Sequence, residues 1–144
     1  MTTDAIQLEV LRRGEQLLVV PGVLCEVGFQ SLDEVVVVDD GLARALERGE
    51  RIARAATALR TDKDFATRTP LWKQAGCESN EQFVKGTTVV SIVRDDELTE
   101  LFFMEASPDL SGFDGHEDPE ALGPGTPLGV VAEHVLAMFA KHDR

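Results

Sequence analysis

The chain has 144 residues, of which 43% are apolar and 28% are charged, and its formal net charge is −12. Length and composition are typical of one folded domain and exclude a disordered chain. The acidic excess argues against a role in binding nucleic-acid backbones, which requires cations facing the phosphates, and favours fast encounter with cationic partners.

The first forty residues are rich in strand signals. Residues 5–20 predict two strands joined by a turn at Arg12–Glu15. Residues 23–29 predict a third and less regular strand. The β-branched run Glu34–Val38 is bounded by acidic residues and predicts a buried strand.

Residues 39–60 carry the clearest helical pattern of the chain. Asp39 and Asp40 are suitable N-caps for this helix. Arginines mark one side, and two of them follow Glu47 and Glu50 at the favourable i,i+4 spacing. Gly49 predicts a weak point at which the helix could divide. The apolar side consists of Leu42, Leu46, Ile52, Ala56 and Leu59.

The remaining elements follow a loop predicted at residues 61–70. Pro70 and Gly76 bracket a short predicted helix. Residues 87–106 predict a hairpin with an acidic turn at Asp95–Glu97. Thr126 and Pro127 are a suitable N-cap and first residue for the last helix. Its predicted buried side is Leu128, Val131, Val135, Met138 and Phe139.

This order of elements predicts the α+β fold class. We expect a single domain over residues 1–144, in which a largely antiparallel sheet has helices packed on it. The run Glu34–Val38 and the hairpin Thr87–Met104 should share that sheet. The helices at 41–59 and 127–141 should pack against it, because their apolar sides complement the apolar faces of the strands.

The sequence indicates no catalytic, cofactor-binding or metal site. Residues 123–129 superficially resemble a phosphate loop, but two prolines remove amide donors and no Lys follows closely. The acids after Asp109 do not fit a calcium loop, because Phe113 stands at a ligand position. Cys25 and Cys77 lie outside any CxxC motif, so no zinc site is predicted. Trp72 is predicted to be a structural residue.

The N-terminal sequence and the hydropathy predict a cytoplasmic protein. No basic segment followed by an apolar one opens the chain, so no secretory signal is predicted. No apolar run approaches the ~20 residues that cross a membrane. We therefore expect no membrane partner and no nucleic-acid partner.

The most acidic stretch is residues 95–120, with ten Asp and Glu and no Lys or Arg. Because alternate residues of a strand face opposite sides, Leu101 and Phe103 are expected in the core. Glycine and proline around the later acids indicate an exposed loop. That loop is either simply solvated or a contact surface for a basic partner. Our candidates for partner contacts are Asp109, Asp114, Glu117, Asp118, Phe102 and Phe113.

Residues 70–92, PLWKQAGCESNEQFVKGTTVVSI, resemble the immunity proteins of bacterial contact-dependent growth inhibition. In that family a short helical segment with a Trp, here Trp72, leads through a Phe-x-Lys-Gly step, here Phe83–Gly86, into a strand. Gly112–Phe113, Leu128–Gly129 and the DDGLARAL start of the first helix are also similar. The resemblance spans about residues 35–140.

This resemblance implies a binding role. Such a protein binds and blocks the toxic C-terminal domain of a large exported effector and so protects the cell that makes both. The toxin is expected to be a nuclease, and a nuclease surface is basic because it holds phosphates. The resemblance implies no catalytic residue and no cofactor. Two other functions stay open on the residues alone: a small cytoplasmic enzyme with an unrecognised site, and an adaptor protein.

Overall fold

The computed structural model describes residues 5–25, 28–32, 34–59, 70–115 and 117–142. Within these residues the chain forms one antiparallel sheet and four helices, which confirms the predicted α+β fold class. The strands are β1 (Ile6–Arg13), β2 (Gln16–Cys25), β3 (Gly28–Ser31), β4 (Val36–Val37), β5 (Thr88–Arg94), β6 (Thr99–Ala106), β7 (Phe113–Gly115) and β8 (Glu120–Leu122). The helices are α1 (Leu42–Leu59), α2 (Leu71–Gln74), α3 (Asn80–Lys85) and α4 (Leu128–His142).

The strands lie in the order β3-β2-β1-β5-β6-β7. One edge is shared by β3 and β4, which both pair with β2. The opposite edge is shared by β7 and β8, which both pair with β6. The Glu34–Val38 run therefore contributes to the same sheet as the β5–β6 hairpin, as predicted.

The first face of the sheet carries the larger core, which α1 and α4 cover. Strand alternation brings one set of side chains to this face. The predicted buried side of α4 is confirmed, with Leu128 and Met138 only partly buried. The fully buried core residues on this face include Ile6, Leu8, Val10, Val19, Val23, Leu46, Ile92, Leu101, Val131 and Val135.

Gly49 does not divide α1, which runs without interruption from Leu42 to Leu59. A Cβ atom at Gly49 would lie 3.0 Å from Val19 Cγ1 and 3.2 Å from Leu8 Cδ2. The expected weak point was therefore wrong. The glycine is required because it lets the helix backbone approach the sheet more closely than a side chain would permit.

The second face of the sheet is covered in part by α2 and α3. Phe83 and Val84 of α3 pack with Leu11, Leu18, Val20 and Val89 of the strands. Trp72 lies against this cluster, the position predicted for a structural residue, although its indole is half-buried rather than fully buried. Cys77 contacts the same cluster as a free thiol.

Most local predictions agree with the structure. The β1–β2 turn is at Gly14, the β5–β6 turn follows Arg94, and the short helix lies between Pro70 and Gly76. The last helix begins at Leu128, one residue after its predicted start, and its first backbone bonds go to the Pro127 carbonyl rather than to Thr126, whose hydroxyl donates to the carbonyl of Gly123. The predicted third strand is divided between β2 and β3, and residues 26–27 lie outside the described part of the chain. The predicted loop at 61–69 also lies outside it.

The run Glu34–Val38 forms a shorter strand than its apolar sequence predicts. Val36 and Val37 form the strand and pair with β2, the Val38 amide donates to the Leu17 carbonyl at 3.1 Å, and Val37 is 51% exposed. The expectation of a fully buried strand was wrong. The strand lies at the edge of the sheet, where alternation turns one valine inward to the α1 core and leaves the other in solvent.

Candidate functional site

The acidic stretch lies partly along the free edge formed by β7 and β8. Asp114 is in β7, Glu120 begins β8, and Glu117 and Asp118 lie between the two strands. Asp114, Glu117 and Asp118 are exposed. Edge strands with charged side chains resist unwanted pairing with other sheets, so the acids have a structural use here as well as a possible recognition use. We call residues 113–122 the acidic edge.

Asp114 faces a second carboxylate across the sheet. The register pairs Glu105 of β6 directly with Asp114 of β7, and both side chains are exposed. Like charges opposite one another in an antiparallel pair destabilise the free protein. A cationic group from a partner would relieve this repulsion.

Asp109 has a different environment from the other candidates. Its Oδ1 accepts hydrogen bonds from the Ser107 hydroxyl at 2.8 Å, the Ser111 hydroxyl at 2.7 Å and the Ser111 amide at 3.1 Å. The Ser111 hydroxyl, followed by the other two bonds, lowers the pKa of Asp109 to about 2. Asp109 is thus committed to holding the turn between β6 and β7, and a binding role would be secondary to this structural one.

Two of the edge acids contact α4. Glu120 Oε1 lies 3.0 Å from His134 Nδ1. Glu117 lies 3.5 Å from Lys141 Nζ and 3.1 Å from His142 Nε2. These contacts run along α4, so the acidic edge lies beside the helix and borders its outward side.

The side chains of the two phenylalanine candidates point away from α4, to the second face of the sheet. Leu101 and Phe103 point into the core beneath α1 and α4, as predicted, so Phe102 points to the other face of the sheet. Phe113 packs edge-to-face on Phe83, with ring centroids 6.2 Å apart, in the cluster beneath α3. Both phenylalanines are half-buried, and neither stands beside α4.

The hairpin-turn acids are also separated from the edge acids. Asp95, Asp96 and Glu97 follow β5, whereas Asp114 pairs with Glu105 near the other end of β6. Six residue steps along a strand correspond to about 20 Å. The structure therefore divides the acidic stretch between two ends of the sheet, and only the later half borders α4.

The exposed apolar side chains nearest the acidic edge are on α4. Val130 is 39% exposed and Leu136 is 47% exposed. Together with Gly129, Ala137 and Ala140, which are also exposed, they make the outward side of the helix apolar, and Glu133 is its acidic residue. We call this surface the outer face of α4.

Sequence reasoning did not identify this surface, although its signal was present. From Leu128 to Ala140 the helix is apolar around most of its circumference. Helices of that kind are usually buried on all sides, whereas α4 is buried only along the side of Val131, Ala132, Val135 and Phe139, which packs against α1 and the sheet. An uncovered apolar helix face with a charged border is typical of a protein-binding surface.

Comparisons with known proteins establish the fold alone. No protein-family model matches the chain, and no curated protein matches it. A solved structure of a protein of unknown function from Neisseria meningitidis is similar, with a TM-score of 0.67, 10% sequence identity, and coverage of 98% of this chain and 97% of that chain. In the residues that the structure describes, no helix is both long and apolar enough to cross a membrane.

Proposed function

We propose that this protein is an immunity protein, which binds the toxic domain of a cognate contact-dependent growth inhibition effector and blocks its basic surface. The outer face of α4 and the acidic edge beside it form the binding surface. One observation carries this proposal: Val130 and Leu136 are exposed on the outward side of α4, and Glu117 and Glu120 contact Lys141 and His134 of the same helix. The family resemblance of residues 70–92 supports the same role.

The apolar part of this surface supplies affinity. Protein interfaces commonly have an apolar centre and a polar rim, and a few central side chains account for most of the binding energy. Leu136 and Val130 are the anchors that we assign. Glu133 lies between them on the helix, and the small side chains of Ala137 and Ala140, with Gly129, leave the surrounding helix surface flat, so a partner helix or strand can approach closely.

The acidic part of the surface raises the rate of association and favours basic partners. Charges of one sign raise association towards about 10⁸–10⁹ M⁻¹s⁻¹ at low salt, from about 10⁵–10⁶ without steering. Glu117 is partly neutralised by Lys141, whose Nζ lies 3.5 Å from it. Asp114 and Asp118 therefore carry most of the steering. Asp109 is a weaker candidate because its carboxylate already accepts hydrogen bonds from the Ser107 and Ser111 hydroxyls within the turn.

The first experiment identifies the partner and tests whether it is toxic. Wild-type protein and a Leu136→Asp variant are used to capture partners from cells of the native host. Val37→Asp is the matched control, because Val37 is equally exposed but lies on the opposite edge of the sheet. We expect one protein to be retained by wild type and Val37→Asp and lost by Leu136→Asp.

The captured protein must then arrest growth when it is expressed alone. Coexpression with wild type or Val37→Asp should restore growth, and Leu136→Asp should not. A partner that is harmless alone would contradict the immunity function. A toxic partner that Leu136→Asp still neutralises would leave the function intact but contradict the assigned surface.

The second experiment measures steering. Asp114→Asn with Asp118→Asn removes two charges at the acidic edge, and Asp96→Asn with Glu97→Gln removes two charges at the far turn. We expect the first pair to slow association with the toxin and to reduce its salt dependence, since screening acts beyond about 8 Å at physiological salt. Equal effects from both pairs would mean that overall charge, rather than the acidic edge, controls the rate.

A further inference from the structure

A basic depression of about 320 Å³ is present on this acidic molecule. It lies where the ends of β1, β5 and β6 meet the C-terminal end of α4. Its basic lining residues are Arg12, Lys85 and His142, and no Asp or Glu is among the described residues that line it, although Glu117 lies 3.1 Å from His142 Nε2. In a chain with a net charge of −12, a depression with cationic walls attracts anions that the remaining surface repels.

On the α3 side of the depression, hydrogen bonds from Arg13 hold the backbone in place. The Arg13 guanidinium donates from Nη1 to the carbonyl of Phe83 at 2.7 Å and to the Thr87 hydroxyl at 2.8 Å. A Cβ atom on Gly86 would lie 3.1 Å from the same guanidinium. Arg13 therefore fixes the loop from Lys85 to Thr87 and places a further positive charge beneath it.

The floor and the opposite wall are aromatic. The His142 ring is stacked on Phe103 with centroids 3.8 Å apart and planes 9° apart. Phe103 in turn meets Phe139 edge-on, at 6.4 Å between centroids. The Arg12 guanidinium lies 5.8 Å from the centre of the Phe139 ring. Cationic and aromatic groups are thus combined in a single depression.

An apolar groove continues from this depression. It has a volume of about 380 Å³, shares Arg12, Gly14 and Phe139 with the basic depression, and is otherwise lined by Glu15, Leu17, Leu136 and Ala140. Small-molecule sites combine mainly apolar walls with a few polar groups that orient the ligand. This pair of depressions has cations at one end and apolar walls at the other.

We propose that this is a binding site for a small organic anion whose phosphate or carboxylate head is joined to an apolar body. Arg12 and Lys85 contact the head, with His142 beside them. The apolar body lies against Phe139 and extends into the groove beside Leu136. This site shares Leu136 and Ala140 with the outer face of α4, but it binds its ligand through Arg12 and Lys85, which the proposed toxin-blocking role does not use.

The test is a titration of the whole protein followed by two-dimensional NMR. The probes are phenyl phosphate, benzoate, inorganic phosphate and phenol. We expect saturable shifts of the Gly86 and Thr88 amides with phenyl phosphate, and affinity about tenfold above that for inorganic phosphate because the ring is also buried. Phenol should give no saturable shift. The ratio of phenyl phosphate to benzoate affinity distinguishes a phosphate site from a carboxylate site.

Two charge reversals separate a specific site from general attraction. Lys85→Glu should abolish saturable binding. Arg51→Glu is the matched control, because Arg51 is also exposed but belongs to α1 and lines another part of the surface. The Arg51→Glu variant should still bind phenyl phosphate. Absence of saturable shifts in the wild type, equal weakening by both variants, or shifts confined to other regions would each overturn the proposal. Arg12→Gln provides a second, milder variant for the same comparison.

Discussion

Replacing Gly49 with alanine should destabilise the protein, although alanine is the better helix former. Alanine in a helix interior gains about 1 kcal/mol over glycine. Against this, the new Cβ would lie 3.0 Å from Val19 Cγ1 and 3.2 Å from Leu8 Cδ2. Both neighbours have 0% exposure, so they are held on all sides, and overpacking of such a core costs about 1–3 kcal/mol. The net loss should be about 1 kcal/mol.

Gly129 provides the matched control, because it is also helical but has nothing within 4 Å of an added Cβ. Gly129→Ala should therefore stabilise the protein by up to about 1 kcal/mol. Urea denaturation of both variants and the wild type, with the slope of each transition compared, measures the two free energies of unfolding. If Gly49→Ala were as stable as wild type or more so, the close helix–sheet contact would not limit this position.

Three further predictions concern the hydrogen bonds and the second cluster. The pKa of Asp109 is lowered to about 2, so its ionised side chain stabilises the folded protein above the unfolded-state pKa, and this stabilisation is lost as the pH falls through about 2. The difference in the free energy of unfolding between wild type and Asp109→Asn, followed by acid titration, should therefore shrink below about pH 4. Phe83→Ala, at a buried site, should lower the free energy of unfolding by about 3–5 kcal/mol, and Trp72→Ala, at a half-buried site, should lower it less. If urea denaturation gave the reverse order, the assigned burial of these two side chains in the second cluster would be wrong. Arg94→Gln should lower the free energy of unfolding by about 1–3 kcal/mol, because Arg94 Nε lies 3.3 Å from Glu50 Oε2 and its Nη1 donates to the Thr126 carbonyl at 2.6 Å, while Arg54 remains paired with Glu50. An unchanged urea midpoint would show that these Arg94 contacts add nothing.

Local elements were predictable because the forces that form them act between residues close in the sequence. The β1–β2 and β5–β6 hairpins follow from alternating apolar residues around Gly14 and around the acidic turn after Arg94. The inner faces of α1 and α4 follow from apolar spacing near 3.6 residues. The sequence therefore specified the α+β class, both long helices and the strands of the sheet centre.

The candidate site was only partly predictable. The acids of residues 113–122 were identified from composition, and their exposure agreed with the turn-forming residues around them. Phe102 and Phe113 were chosen as anchors because they stand beside acids in the sequence. In the folded chain the neighbours that matter are on α4, and Val130 and Leu136 became visible only when the helix was placed on the sheet.

The sequence by itself determined how much negative charge the protein carries and which segments become strands and helices. The tertiary structure decided where that charge lies, since β6 separates the acids of residues 95–97 from those of residues 114–118. It also decided that Gly49 packs closely rather than breaking a helix, and that Arg12, Lys85 and His142 surround one depression. The physical reason is the same in each case: strand register and helix docking join residues that are far apart in the chain, and no local pattern encodes those distances.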